Sequence, residues 1–210
     1  MAWMSVALVV VLMAIGTHQH AQLMDPVNRS SMWRKGYNTP ENFEDTQLFC
    51  GGFKVQWYEN DGKCGECGDD YALKRPRPNE NGGIFGTGII VAKYPAGSTI
   101  TTLTNVTANH LGRLEFRLCP LKLKDELETE ECFAKYPLKL ADGSSSYRLV
   151  ADVIGDVLVD VVLPDIKCEQ CVLQWTYITG NSWGYCGDGT GALGCGPQET
   201  FRGCSDISLV

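Results

Sequence analysis

Apolar residues recur mostly at every second position along this chain. Leu114, Phe116 and Leu118 alternate with Arg113, Glu115 and Arg117, and Leu173, Trp175 and Tyr177 repeat the pattern. Val157, Val159 and Val161 stand in the β-branched run DVLVDVVLP, which Pro164 closes. A period of two puts one set of side chains on a single face of an extended strand, so each stretch predicts a half-buried strand. GGIFGTGIIVAKYPAGSTI, residues 82–100, reads as further strand broken by glycine turns. Turn clusters lie between these runs: NDG at 60–62, PNENGG at 78–83, YPAGS at 94–98 and ADGSSS at 141–146. Only LKLKDELETEEC, residues 121–132, leans helical, and it reads equally as a charged loop. Many short strands, frequent turns and little helix predict an all-β antiparallel sandwich.

Two segments escape the alternation. NRSSMWRKGYNTPENFEDTQLFCGGF (28–53) is polar, aromatic and nearly patternless, and GNSWGYCGDGTGALGCGPQETFRGC (180–204) is rich in glycine. Loops of this length in a compact domain are functional or covalently tied. Both contain or adjoin cysteines, so disulfide-tied loops are expected. No repeat, linker or low-complexity tract divides the chain.

The other departure is MSVALVVVLMAI, residues 4–15, an uncharged apolar run of signal-peptide length and too short to span a bilayer. Small-residue rules favour cleavage after Gly16 and accept a cut after Gln19 less well. Ten cysteines support export to an oxidising compartment. Two sequons, at Asn28 and Asn105, would be open to glycosylation there. Local rules leave the cleavage site open; a cut before His20 would divide the chain into a signal peptide over 1–19 and one domain over 20–210, and the leader and cysteines together predict a secreted, extracellular protein. The net charge of −7 argues against nucleic acid or an anionic membrane as partner.

The chain has three histidines: His18, His20 and His110. A lone histidine at a strand end is usually a solvated or hydrogen-bonded polar residue. Processing before His20 would change that reading, because an amino-terminal histidine offers its α-amine and its ring Nδ1 together. With an imidazole from His110 this makes a planar three-nitrogen set suited to copper. An α-amine, with a reference pKa near ~8, yields its proton to a metal at neutral pH.

HAQLMDPVNRSSMWRKGYNTPENFEDTQLFCGGF, TANHLGRLEF and GCGPQETFRGCSDISL resemble, in order and over essentially the whole chain from His20, the lytic polysaccharide monooxygenases of auxiliary-activity family fifteen. The resemblance implies an immunoglobulin/fibronectin-III-like β-sandwich. It also implies one copper ion in a histidine brace of His20 and His110, and oxidative cleavage of chitin or cellulose by hydrogen abstraction at carbon 1 or carbon 4. Dioxygen or hydrogen peroxide would be the co-substrate, with an external reductant. Ala108 would crowd the copper, Phe201 would fill the axial aromatic position, and Glu199 would face the axial side. Phe201 lacks a phenolic oxygen, so no tyrosine role transfers to it. Tyr37, Tyr185 and Trp183 are candidates to stack on sugar rings by their loop positions, with core packing an equal reading for Trp183. The protein is expected to act as a monomer on an insoluble polymer.

Other chemistries are weaker. CGEC (64–67) and CEQC (168–171) lie too far apart for a zinc ribbon and read as disulfide cysteines. No nucleophile motif appears, and no acid pair stands out for glycoside hydrolysis. A non-catalytic carbohydrate-binding module and a secreted copper carrier are the two rival functions.

Overall fold

Two β-sheets face each other across the apolar positions that the alternation marks. The computed structural model describes residues 21–210, so His20 and the expected leader lie outside the described residues. In chain order the strands are β1 (Ala21–Asp25), β2 (Ala92–Tyr94), β3 (Thr99–Val106) and β4 (Arg113–Leu121), followed by the helix α1 (Glu130–Lys135). Then come β5 (Lys139–Leu140), β6 (Tyr147–Arg148), β7 (Gly155–Val162), β8 (Cys168–Ile178), β9 (Trp183–Tyr185), β10 (Gly191–Leu193) and β11 (Thr200–Leu209). One sheet has the order β1-β3-β7-β5, and the other β2-β11-β8-β4-β6. Pairing is antiparallel throughout except at one edge, where β2 runs parallel to β11.

The period-two residues meet where expected. Val157, Val159 and Val161 of one sheet and Leu114, Phe116, Leu118, Leu173, Trp175 and Tyr177 of the other form one buried cluster. Burying such side chains is the main stabilising term, worth ~1.5–3 kcal/mol for each.

Two expectations change. Of residues 82–100, only Ala92–Tyr94 and the start of β3 are strand. The Gly82 N–H bonds the Gly86 carbonyl and the Phe85 N–H bonds the Pro78 carbonyl, which curls the segment into turns. In 121–132 the helix begins only at Glu130, capped by Thr129, whose hydroxyl accepts from the Cys132 N–H. Ahead of it the Glu126 carboxylate accepts the N–H groups of Lys122 and Leu123, which makes a turn there.

The long loops are tied as expected. The disulfides are Cys50–Cys64, Cys67–Cys204, Cys119–Cys132, Cys168–Cys171 and Cys186–Cys195. The CEQC cysteines close on each other, whereas those of CGEC part to different partners.

Residues 28–90 wrap the outer face of the five-stranded sheet, and this layer is held by charge. Arg29, 1 % exposed, sends Nε and Nη2 to the two Asp206 oxygens, each at 2.7 Å, and Nη1 to Glu128. Beside it, Arg77 bridges the buried carboxylates of Glu66 and Glu80. Asn28 belongs to the same layer. It is 1 % exposed, and its amide donates to the Leu23 carbonyl and Ser31 Oγ. A glycan there does not fit the folded chain, which corrects the reading of that sequon. Asn105 is half-buried on β3 and donates to Asp156 Oδ1 at 2.8 Å.

Burial, with a hydrogen bond to Glu80, pushes the Glu66 carboxyl up to about 7, and burial pushes Asp69 up to about 6. Both bind their protons more tightly folded than unfolded, so the contribution to stability falls as pH rises, from 4.5 to about 7 for Glu66 and from 3.8 to about 6 for Asp69. Glu66→Gln is expected to flatten that part of the profile, read as denaturation midpoints at pH 5, 6 and 7. A slope unchanged by the substitution would contradict the assignment.

Candidate copper site

His110 sits in the turn between β3 and β4, and every group of its backbone is committed. Its N–H donates to the Tyr177 hydroxyl at 2.9 Å, and its carbonyl accepts from the Gly180 N–H at 2.8 Å. The turn needs unusual backbone angles: Leu111 has φ 56° and Gly112 φ 91°. A Cβ on Gly112 would lie 2.0 Å from the Ile178 carbonyl oxygen, so only glycine lets the turn lie this close to β8. The preceding residue braces a neighbour. Asn109 Nδ2 donates to the carbonyls of Val150 and Val153, and its Oδ1 accepts from the Leu111 N–H.

The ring itself is oriented by Asn181. The amide nitrogen of Asn181 and His110 Nδ1 lie 2.6 Å apart, and which amide atom faces the ring follows the imidazole tautomer. With Nδ1 protonated, the amide oxygen accepts and Nε2 keeps the lone pair that a metal requires. The donor set therefore fits a nitrogen-seeking ion at Nε2. The Tyr177 hydroxyl is engaged by the His110 N–H, and burial pushes it up to about 12, the His110 N–H pulling it down and the Glu199 charge adding a smaller upward push. Another cluster of metal-type donors, Cys67, Glu128 and Cys204, has both sulfurs tied in a disulfide.

Phe201 lies beneath this turn, 1 % exposed. Its ring stacks between Tyr177, with centroids 5.8 Å apart, and Phe49, at 6.0 Å. Glu199, two residues earlier, is half-buried, and its carbonyl accepts from the Thr179 N–H. Burial raises its carboxyl above the ordinary range. Ala108 is half-buried two residues before His110. Ala21 pairs with Val106, so β1 begins at the end of the sheet where the His110 turn leaves β3. His110, Ala108, Phe201, Glu199 and the start of the described chain thus gather at one end of the sandwich.

Tyr185 and Trp183 join them, following Asn181 on the β9–β10 hairpin that Cys186–Cys195 closes. Their rings pack edge to face, 5.3 Å apart, and are 76 % and 59 % exposed. Trp183 is therefore not a core residue. Tyr37 is not brought to this end. It lines a shallow depression together with Met24 and Asp25, and its hydroxyl donates to the Val91 carbonyl at 3.4 Å. Asp25, the last residue of β1, pairs with Leu103, away from the His110 turn.

Sequence reading missed Asn181 and the second use of Tyr177. Tyr177 looked like any inward strand residue, and nothing local separates its hydroxyl contact from core packing. Asn181 at the end of the β8 pattern was the one available signal, because a polar residue leaving a buried strand commonly bonds across a turn.

The family model described as lytic polysaccharide mono-oxygenase, cellulose-degrading, matches residues 20–207. The chain is also 53 % identical to a lytic polysaccharide monooxygenase of auxiliary-activity family fifteen from Thermobia domestica, solved in its Cu(I) state. That match covers 90 % of this chain and 98 % of the other, with a TM-score of 0.89. The chain belongs to this family. A family-ten lytic polysaccharide monooxygenase from Streptomyces lividans is 13 % identical over 90 % of this chain and all of the other, with a TM-score of 0.47. None of the curated proteins searched matches the chain. As a lytic polysaccharide monooxygenase, the protein is a copper-dependent oxidoreductase acting on polysaccharide, with one copper ion, dioxygen or hydrogen peroxide, and a reductant. No helix among the described residues of this monooxygenase is long and apolar enough to cross a membrane.

Proposed function

We propose that the protein is secreted, loses residues 1–19, and oxidises chitin or cellulose at carbon 1 or carbon 4 of the glycosidic bond, as a monomer. His20, as the first residue of the processed chain, would supply its α-amine and ring Nδ1 to copper, and His110 its Nε2. Ala21, paired with Val106, starts β1 at the end of the sandwich that carries the His110 turn, which supports this reading. Copper bound there supplies one-electron reduction and oxygen activation. The protein supplies the rest. Asn181 fixes the His110 ring, Phe201 and Tyr177 fill the space beneath with apolar surface, and Glu199 offers a half-buried carboxyl whose proton burial holds more tightly than usual. Five disulfides support export.

The observation that carries the reading is the exposed aromatic pair, Trp183 and Tyr185, two and four residues from the side chain that holds His110. With Leu193, 65 % exposed and paired with Trp183 across the hairpin, they make an exposed apolar platform. A platform suits a crystal face, which cannot enter a cleft. Processed, copper-loaded protein given reductant and either polymer is expected to release oxidised oligosaccharides, detectable by mass spectrometry. Their absence with both polymers would favour the copper carrier or the binding module. Trp183→Ala and Tyr185→Ala are each expected to weaken polymer binding roughly tenfold, ~1.4 kcal/mol, with unchanged melting. Unaltered binding isotherms would remove the hairpin from the substrate face.

A further inference from the structure

Beside the candidate copper site, two strands place like charges face to face. Arg113 of β4 pairs directly with Arg148 of β6. Opposed like charges on antiparallel strands are unfavourable, so the pair calls for a counter-charge. Glu115 meets Arg113 at 2.5 Å, but Arg148 has no acidic partner among the described residues. The pair therefore keeps an excess of positive charge in a protein whose net charge is −7.

Both arginines line a groove of about 320 Å³ whose walls include Leu111, Val150, Gly180 and Leu193. Leu111 follows His110 in the chain, and Gly180 donates to the His110 carbonyl, so the groove adjoins the turn that carries the imidazole. Its chemistry narrows the occupant. The N–H groups of Thr179, Gly180, Leu149 and Gly194 are all bonded to backbone carbonyls, so these four offer nothing to an anion in the way an amide nest does. What remains is one strong positive pole and a leucine-lined wall, at the small end of the ~300–1,000 Å³ range of small-molecule sites.

We propose that this groove binds a small polyhydroxylated organic anion. Its carboxylate or enolate would lie on Arg148 and Arg113, and its C–H faces against Leu111 and Leu193. Two sources share that chemistry: the acidic end of an oxidised or uronic-acid oligosaccharide, and a free sugar-acid reductant of the enediol type. The choice of a sugar-like anion rests on the polysaccharide-oxidation reading; the positive groove does not.

The test uses the processed full chain without copper, so that no turnover occurs. Cellobionate and ascorbate are titrated separately and followed by NMR shifts, with neutral cellobiose as control. Saturable binding of at least one anion is expected, weakening with added salt and falling tenfold or more in Arg148→Gln, while cellobiose leaves the groove resonances unmoved. Preference for cellobionate identifies the oligosaccharide end as the source, and preference for ascorbate the reductant. Arg148 is exposed on a strand edge, and an unchanged thermal melt of the variant shows that its fold is intact. Absence of saturable anion binding, or equal affinity in Arg148→Gln, overturns the proposal. Oligosaccharide oxidation by the same preparation after copper loading reports on the enzymatic reading separately.

Discussion

Replacing His110 by alanine is expected to leave a folded protein that no longer holds copper tightly and no longer oxidises polysaccharide. The ring is half-buried in a turn whose geometry comes from the His110 backbone, Asn109 and Gly112, so its removal costs little stability. The metal loses one of three proposed nitrogen donors. Removing only the partner of a ligand typically costs ~10–100-fold in metal affinity, so loss of the ligand itself is expected to exceed ~100-fold. Asn181→Leu sets the lower mark. It keeps the imidazole but frees it to turn, and should fall within that smaller range, with an altered Cu(II) electron paramagnetic resonance spectrum. Copper titration of both variants checks this. An affinity within threefold of the parent in His110→Ala would remove the residue from the copper site.

Arg29→Ala has the largest expected effect on stability. The side chain is fully buried, and its fork satisfies both oxygens of Asp206 while Nη1 reaches Glu128 and the Asn79 carbonyl. Burial alone would lower the guanidinium pKa. The two carboxylates outweigh that and raise it, so the group stays charged. Removing it strands two carboxylates without a counter-ion, at a cost of ~3–5 kcal/mol. For a domain of this size that corresponds to ~6–20 °C in the melting temperature. Arg29→Lys keeps the charge but not the paired Nε and Nη2 contacts, and is expected to fall between the two. Calorimetric melting of the three proteins provides the check, and a loss below 3 °C in Arg29→Ala would show that the layer is held by other contacts.

The sandwich was legible because its core strands bury one face each. Leu114, Phe116, Leu118, Leu173 and Trp175 carry a period of two that nothing else imitates. The charged layer left no such trace. Arg29, Glu128 and Asp206 lie up to 177 residues apart in sequence, and a buried arginine looks in the sequence like any solvated one. For the same reason Asn28 read as a free sequon. The site was legible in its ligand types, since histidines are scarce and His110 stands alone in the strand region. Its orientation was not, because Asn181 reaches the ring across 71 residues. Tyr37 shows the limit of arguing from loops: the segment is long, and proximity along it says nothing about which end of the sheet it covers.

The β9–β10 hairpin forms a two-stranded sheet apart from the main layers. Its own cystine staples it, and Gln198 secures it through bonds to Ser182 and Cys195. Such a unit is a natural cassette for transplantation. Exchanging residues 183–195 while retaining Asn181, Ser182 and Gln198 would retarget the platform to another polymer without disturbing the imidazole it adjoins.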